Sequence, residues 1–147
     1  MIRIGKSGQP ANEQEALTFV DAFTIGLDLT LRDVQNRLKD KGLPWEISKA
    51  FEQSAPIGTF VKYTQPGQLD DISFRCFVDG EKRQEGNSND MIFSVARLIF
   101  ELGKIWILQS GDLIYTGTHS GVGPLHIGNT VTIEGDKIGT FSWKIIE

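Results

Sequence analysis

The chain has 147 residues, 39% of them hydrophobic and 23% charged, with a net charge of -4. That length suits one domain with its own core, and this balance of apolar and charged residues excludes a disordered or fibrous chain. A negative charge with no cluster of lysines or arginines argues against nucleic acid as a partner; with no apolar run of the ~18 residues a membrane span needs and no signal peptide in MIRIGKSGQP, a soluble, cytoplasmic protein is expected.

The first predicted element is a short helix. Asn12 stands three residues ahead of Glu15 in a helix-capping pattern, and Ala16, Leu17 and Val20 supply its apolar stripe. From residue 23 the period changes. Phe23, Ile25, Leu27 and Leu29 alternate with Thr24, Gly26, Asp28 and Thr30, which predicts a strand with one oily face and Asp28 on the other. Thr30 is placed to cap a second helix that carries Leu31, Val34 and Leu38 on one face and stops at Gly42.

Residues 43–58 read as a packed loop around a short helical piece carrying Lys49. Residues 72–78 alternate again, Asp79-Gly80 is a hairpin turn signal, and 82–85 can return as the paired strand. Cys76, the single cysteine, lies in that alternation and is expected to be a buried, inert thiol. A helix starting at Asn89 or Asp90 would bury Ile92, Val95, Ala96, Ile99 and Phe100 and end near Gly103. The remainder, from Ile105, reads as β: an apolar run, a turn at Ser110-Gly111-Asp112, LIYTGT, a glycine-rich loop and a terminal hairpin. Strands outnumber helices without alternating with them, so the expected class is α+β and β-rich.

Few residues are placed for chemistry. An acidic residue just ahead of a helix often serves only to complement the positive helix end. Asp28, however, shares its strand face with small or polar residues, and Arg32 and Gln35 emerge from the next helical turn. A carboxylate on such an element suits a hard divalent cation, and the guanidinium and amide suit an oxygen-rich ligand, although one carboxylate does not make a metal site. Lys49, between Trp45 and Phe51, is either a solvated lysine or a partly desolvated cation. In GDLIYTGTHSGVGPL, Gly117, Gly121 and Gly123 are either plain turn residues or points of close backbone approach to a ligand, with Thr118 offering a hydroxyl. The stretch is not a P-loop, and no nucleophile elbow is present, so nucleophilic hydrolysis is not expected. His119 reads as a loop residue rather than a general base.

Four ordered stretches, GLDLTLRDVQ, KGLPWEISKAFEQSAPIG, RQEGNSNDMIFS and SGDLIYTGTHSGVGPL, resemble the fumarylacetoacetate hydrolase family, most closely its small acylpyruvate hydrolase and isomerase branch. The resemblance runs from about Gly5 through nearly the whole chain. It implies a β-rich sandwich or roll fold, a homodimer, and a Mg²⁺ or Mn²⁺ ion that chelates a 2-oxo or 2,4-dioxo acid. By motif position it implies that Asp28 is a metal ligand and that Arg32 and Gln35 line the site. Lys49 would stand beside the metal, Lys49 and Gln35 would be the catalytic pair, and Gly117 and Thr118 would grip the substrate carboxylate. The activity implied is hydrolysis of a C–C bond in acylpyruvates such as acetylpyruvate or fumarylpyruvate, through a pyruvate enolate. Isomerase, tautomerase, decarboxylase and hydratase chemistry use the same logic.

Two departures accompany the resemblance. A Glu-x-Glu metal pair and a catalytic lid expected upstream of Ile2 are missing, so the chain reads as one N-terminally truncated catalytic domain. A catalytically silent dimerisation or binding module is the competing reading. Glu13-Gln14-Glu15 copies the spacing of the pair from within a predicted helix and does not take over its role. His119 stands where close relatives often carry proline.

Overall fold

The computed structural model describes residues 1–146. The backbone forms two compact units, one made of Met1–Ile25 and the chain from Gly58 onward, the other of Gly26–Ile57.

The larger unit holds two four-stranded sheets in which every pairing is antiparallel. In the first, β1 (Ile2–Ile4), β2 (Val20–Phe23), β3 (Val61–Lys62) and β6 (Leu113–Ile114) run in the order β3-β2-β1-β6. Ile2 lies opposite Phe23 and Ile4 opposite Val20; all four are buried. Cross-strand apolar pairs of this kind hold the register, because a one-residue slip would turn every side chain to the other face. Ala16, Phe19, Leu69, Ile72, Ile99 and Leu108 complete the cluster.

The second sheet, in the order β5-β4-β7-β8, contains β4 (Ser73–Val78), β5 (Glu81–Asn87), β7 (Thr130–Gly135) and β8 (Gly139–Lys144). The predicted turn between β4 and β5 forms, with Asp79 and Gly80 both at positive φ, +50° and +83°. That conformation follows the twist of the flanking strands, and aspartate and glycine tolerate it best. Cys76 pairs with Ile133 and Val78 with Val131, so one face of the sheet is a buried apolar patch that contains the thiol.

Helix α1 (Glu13–Ala16) starts as expected: the Asn12 side chain accepts the Glu15 N–H at 2.8 Å. Helix α3 (Val95–Ile105) starts later than expected. The Asn87 side chain accepts the Asn89 N–H and begins only a single 3-10 turn at Ser88–Asp90, which the extended Met91 ends. Ser94 then caps α3 by accepting the Arg97 N–H, and Ile92, left outside, is 93% exposed. Gly103 does not end this helix. It lies inside it, where a Cβ would stand 2.6 Å from Pro10 Cδ, so the glycine is there for close approach. Ile105, Trp106 and Ile107 end the helix and follow it as exposed side chains instead of forming a strand.

The strand expected over 23–30 does not form: β2 ends at Phe23, and an isolated bridge from Gly26 to Ile57 follows. Ala22, Phe23 and Thr24 are buried in succession, which no alternating strand allows, and Thr24 Oγ1 donates to the Thr59 carbonyl at 2.9 Å. Thr24 therefore does not share an exposed face with Asp28.

The smaller unit is built from an extended segment, helix α2 (Arg32–Asp40) and a return segment. Leu31, not Thr30, precedes the helix, and no side chain caps it. Its end matches the expectation: Gly42 has φ +65°, its N–H donates to the Lys39 carbonyl, and the Leu43 N–H donates to the Leu38 carbonyl. This pair of bonds satisfies the last carbonyls of the helix and needs a left-handed residue at Gly42. The 43–49 segment is less packed than expected: Leu43, Trp45 and Ile47 are exposed around the 3-10 turn Glu46–Ser48.

Candidate functional site

The site residues of the smaller unit are brought together by a backbone ladder. The N–H groups of Leu27, Leu29 and Leu31 donate to the carbonyls of Pro56, Ser54 and Ser48 at 2.9, 2.9 and 3.0 Å, and Gly26 bridges Ile57. Alternate N–H groups of an extended segment point one way, so the three leucines face the return segment with their donors. The Leu31–Ser48 bond also sets Arg32 and Lys49, each one residue further on, at adjacent points of the backbone.

Across this ladder Lys49 Nζ donates to Asp28 Oδ1 at 2.8 Å. The two side chains are 30% and 39% exposed, so the ion pair is screened by water and contributes no more than about 1 kcal/mol to stability. In the first turn of α2, Arg32 Nη1 donates to Gln35 Oε1 at 2.5 Å. These residues are three apart and share a helix face. Gln35 is 3% exposed while Arg32 is open to solvent, so a buried amide orients an exposed guanidinium. Asp28, Arg32, Gln35 and Lys49 thus carry two cations against one carboxylate, a set suited to an anion with several oxygens.

Sequence reasoning did not single out Ser48. It is fully buried, its hydroxyl donates to the Trp45 carbonyl, and its own carbonyl anchors Leu31. A serine beside a candidate lysine carries no sequence signal of burial, since its neighbours Ile47 and Trp45 are the ones that look buried.

Gly117 and Thr118 belong to the larger unit. Gly117 has φ +141° with open space where a Cβ would stand, and Thr118 is exposed. The loop continues over β5: the Gln84 side chain donates to the His119 carbonyl at 2.7 Å, and a Cβ on Gly121 would stand 1.9 Å from the Arg83 carbonyl oxygen.

For a divalent cation the fit is poor. Among the described residues no group of three or more His, Cys, Asp or Glu is placed to hold a metal. Asp28 is a single carboxylate already taken by an ammonium. Mg²⁺ asks for near-octahedral oxygen donors and gives up its water reluctantly, and this set does not meet that demand.

Residues 1–146 match the family model described as fumarylacetoacetate (FAA) hydrolase C-terminal. The chain belongs to the fumarylacetoacetate hydrolase family. It is 42% identical over 130 residues to the mitochondrial oxaloacetate decarboxylase of Dictyostelium discoideum, covering 88% of this chain and 60% of that one. It is 38% identical over 142 residues to the oxaloacetate tautomerase YcgM of Escherichia coli K12, covering 95% and 65%. Among solved structures it is similar to a fumarylpyruvate hydrolase from Pseudomonas aeruginosa in complex with Mn²⁺ and pyruvate, with TM-score 0.93, 37% identity, and coverage of 99% of this chain and 62% of that one. The fumarylacetoacetate hydrolase fold of these relatives is therefore the fold of this chain, which spans about 60–65% of the length of the relatives named here.

Proposed function

We propose that this chain supplies the anion-holding part of an active site for short 2-oxo acids that react through an enol or enolate. The observation that carries the reading is the 2.8 Å Asp28–Lys49 pair, set by the backbone ladder beside the Arg32–Gln35 pair.

Three reactions share one demand. Shifting oxaloacetate between enol and keto forms moves a proton between carbon 3 and the carbon 2 oxygen. Its decarboxylation releases CO₂ and leaves the pyruvate enolate. Hydrolysis of an acylpyruvate leaves the same enolate beside a carboxylic acid. Each develops negative charge on the carbon 2 oxygen, and preorganised donors aimed there lower the barrier. Lys49, held in place by Asp28, is the donor to that oxygen. Arg32, oriented by Gln35, pairs with a substrate carboxylate. Gly117 and Thr118 of the larger unit are assigned to a ligand carboxylate by motif position, with an open backbone and an exposed hydroxyl to offer. The named activities of the decarboxylase, the tautomerase and the hydrolase all fall within this chemistry and support the reading.

Turnover of oxaloacetate and acetylpyruvate tests it, followed as enol loss, CO₂ release and pyruvate formation, each with and without added Mg²⁺ or Mn²⁺. Lys49→Met is expected to reduce the active reaction by about 100-fold or more, the effect of removing one oxyanion donor. Full activity in Lys49→Met would overturn the assignment. A second reading, a catalytically silent binding or dimerisation module, is favoured by the absence of a metal-holding cluster among the described residues. It predicts no turnover of either acid under any of these conditions.

A further inference from the structure

The hairpin of β4 and β5 contains a notch that the chemistry above does not use. Phe74 and Gly86 are directly paired across the two strands. A glycine inside a strand loses side-chain packing and marks a place where something else comes close. Here that neighbour is His119. A Cβ on Gly86 would stand 2.3 Å from both Cδ2 and Nε2 of the His119 ring, closer than any real side chain allows. The same ring meets Phe74 edge-on, with ring centres 5.2 Å apart and planes at 60°. The ring thus covers the glycine and contacts its cross-strand partner, as aromatic side chains do over glycines in sheets.

Two more contacts fix the loop on the same strand. Gln84, two residues before Gly86, donates through Nε2 to the His119 carbonyl at 2.7 Å. Two residues on, Gly121 approaches the Arg83 carbonyl so closely that a Cβ would stand 1.9 Å from its oxygen, and its φ of +95° also favours glycine. His119 follows Thr118 directly, while Gly117 itself has nothing near the place of its Cβ. The ring anchors the residue directly after Thr118.

We infer that His119 is a positioning residue: its ring, seated in the Gly86 notch against Phe74, pins the 117–121 loop to β5 and so sets Gly117 and Thr118 for a ligand carboxylate. The role is one of shape. It rests on the reading that Gly117 and Thr118 bind that carboxylate.

Two readouts on the full chain separate this inference from that reading. The first is native-state cleavage by thermolysin, with cuts ahead of Val122 and Leu125 mapped by mass. The second is the affinity for oxalate, a planar dicarboxylate probe. His119→Ala removes the ring, and Gly86→Ala leaves the ring but fills its seat, so a folding failure in one variant does not remove the test. His119→Phe keeps a ring that can occupy the notch. In both alanine variants loop cleavage should accelerate and oxalate affinity should fall by about 2- to 10-fold, the range that one edge-to-face ring contact supports, while His119→Phe stays near the parent. Unchanged cleavage in both alanine variants would overturn the pin. Faster cleavage with unchanged oxalate affinity would overturn the positioning role and the assignment of Gly117 and Thr118 to the carboxylate, leaving the loop anchor as packing alone. An oxalate affinity too weak to measure in the parent would count against the proposed function, and the cleavage rates would still decide the pin.

Discussion

Asp28 and Lys49 lie 21 residues apart in the chain and 2.8 Å apart in space. Exposed ion pairs of this kind add little stability; under the proposed function the aspartate orients the lysine. The same division of labour appears at Arg32, whose guanidinium is exposed and whose partner Gln35 is buried. Cys76 shows the opposite use of burial. It is 4% exposed, and burial raises its thiol pKa, so the reactive thiolate is disfavoured. Ellman's reagent should leave the folded protein essentially unlabelled at pH 8 and titrate one thiol per chain in guanidinium. Rapid labelling of the native protein would show that the β4–β7 patch opens readily.

At the scale of elements, helix α3 carries a chain of charges. Arg97 reaches Glu13 at 2.9 Å and Glu101 at 2.5 Å, and Lys104 reaches Glu101 at 2.8 Å. The hydrogen bond from Lys104 is the largest cause holding the Glu101 carboxyl below its ordinary value of 4.5, with further help from the charges of Arg97 and Lys104. A carboxyl depressed by folding stabilises the native state above its unfolded value, and that contribution is lost as pH falls through the lowered folded value. Glu101→Gln should therefore lower the thermal midpoint slightly near pH 7 and make no difference in acid well below 4.5, where both proteins lack the charge. A difference that persists undiminished at pH 2 would mean that packing, and not charge, sets the effect.

The elements also show what a sequence reveals and what it hides. The Asn12 cap, the Asp79-Gly80 turn and the Gly42 stop were legible because each depends on a local backbone demand that few residues meet. The start of α3 was not, because Asn87 and Ser94 are both good caps and only the tertiary structure decides which of them begins a long helix. Gly103 was misread as a stop because its reason for being glycine, Pro10, lies 93 residues earlier in the chain. The 23–30 alternation was broken by the burial of Thr24 against a carbonyl from another segment, which hydrophobic period does not reveal. Asp28, Arg32, Gln35 and Lys49 were singled out from the local pattern and given roles only by the resemblance; their pairing became visible only with the Leu31–Ser48 bond in place. Ser48 and the seat of His119 were missed, since both consist of contacts between distant segments.

The whole molecule has a β-rich core that is well filled around Ile4, Ile99 and Phe23, yet it leaves Ile92, Phe93, Ile105, Trp106 and Ile107 more than half exposed within the larger unit. Exposed large apolar side chains at both ends of α3 are candidate surface for association. Light scattering is expected to return the mass of a homodimer, and a monomer at all concentrations would contradict that expectation. With one carboxylate facing an ammonium, the chain should show no saturable binding when titrated with Mg²⁺ or Mn²⁺ alone, and a one-to-one isotherm would contradict that expectation. Under the proposed function, cations held by Asp28 and Gln35 receive a short 2-oxo acid. Calorimetric titration of oxalate into the parent and into Lys49→Met tests it most directly. Saturable one-to-one binding is expected in the parent, weakening by about tenfold or more in the variant because one partner of a charge-assisted contact is removed. Equal affinity in the two proteins, or no binding to either, would contradict it.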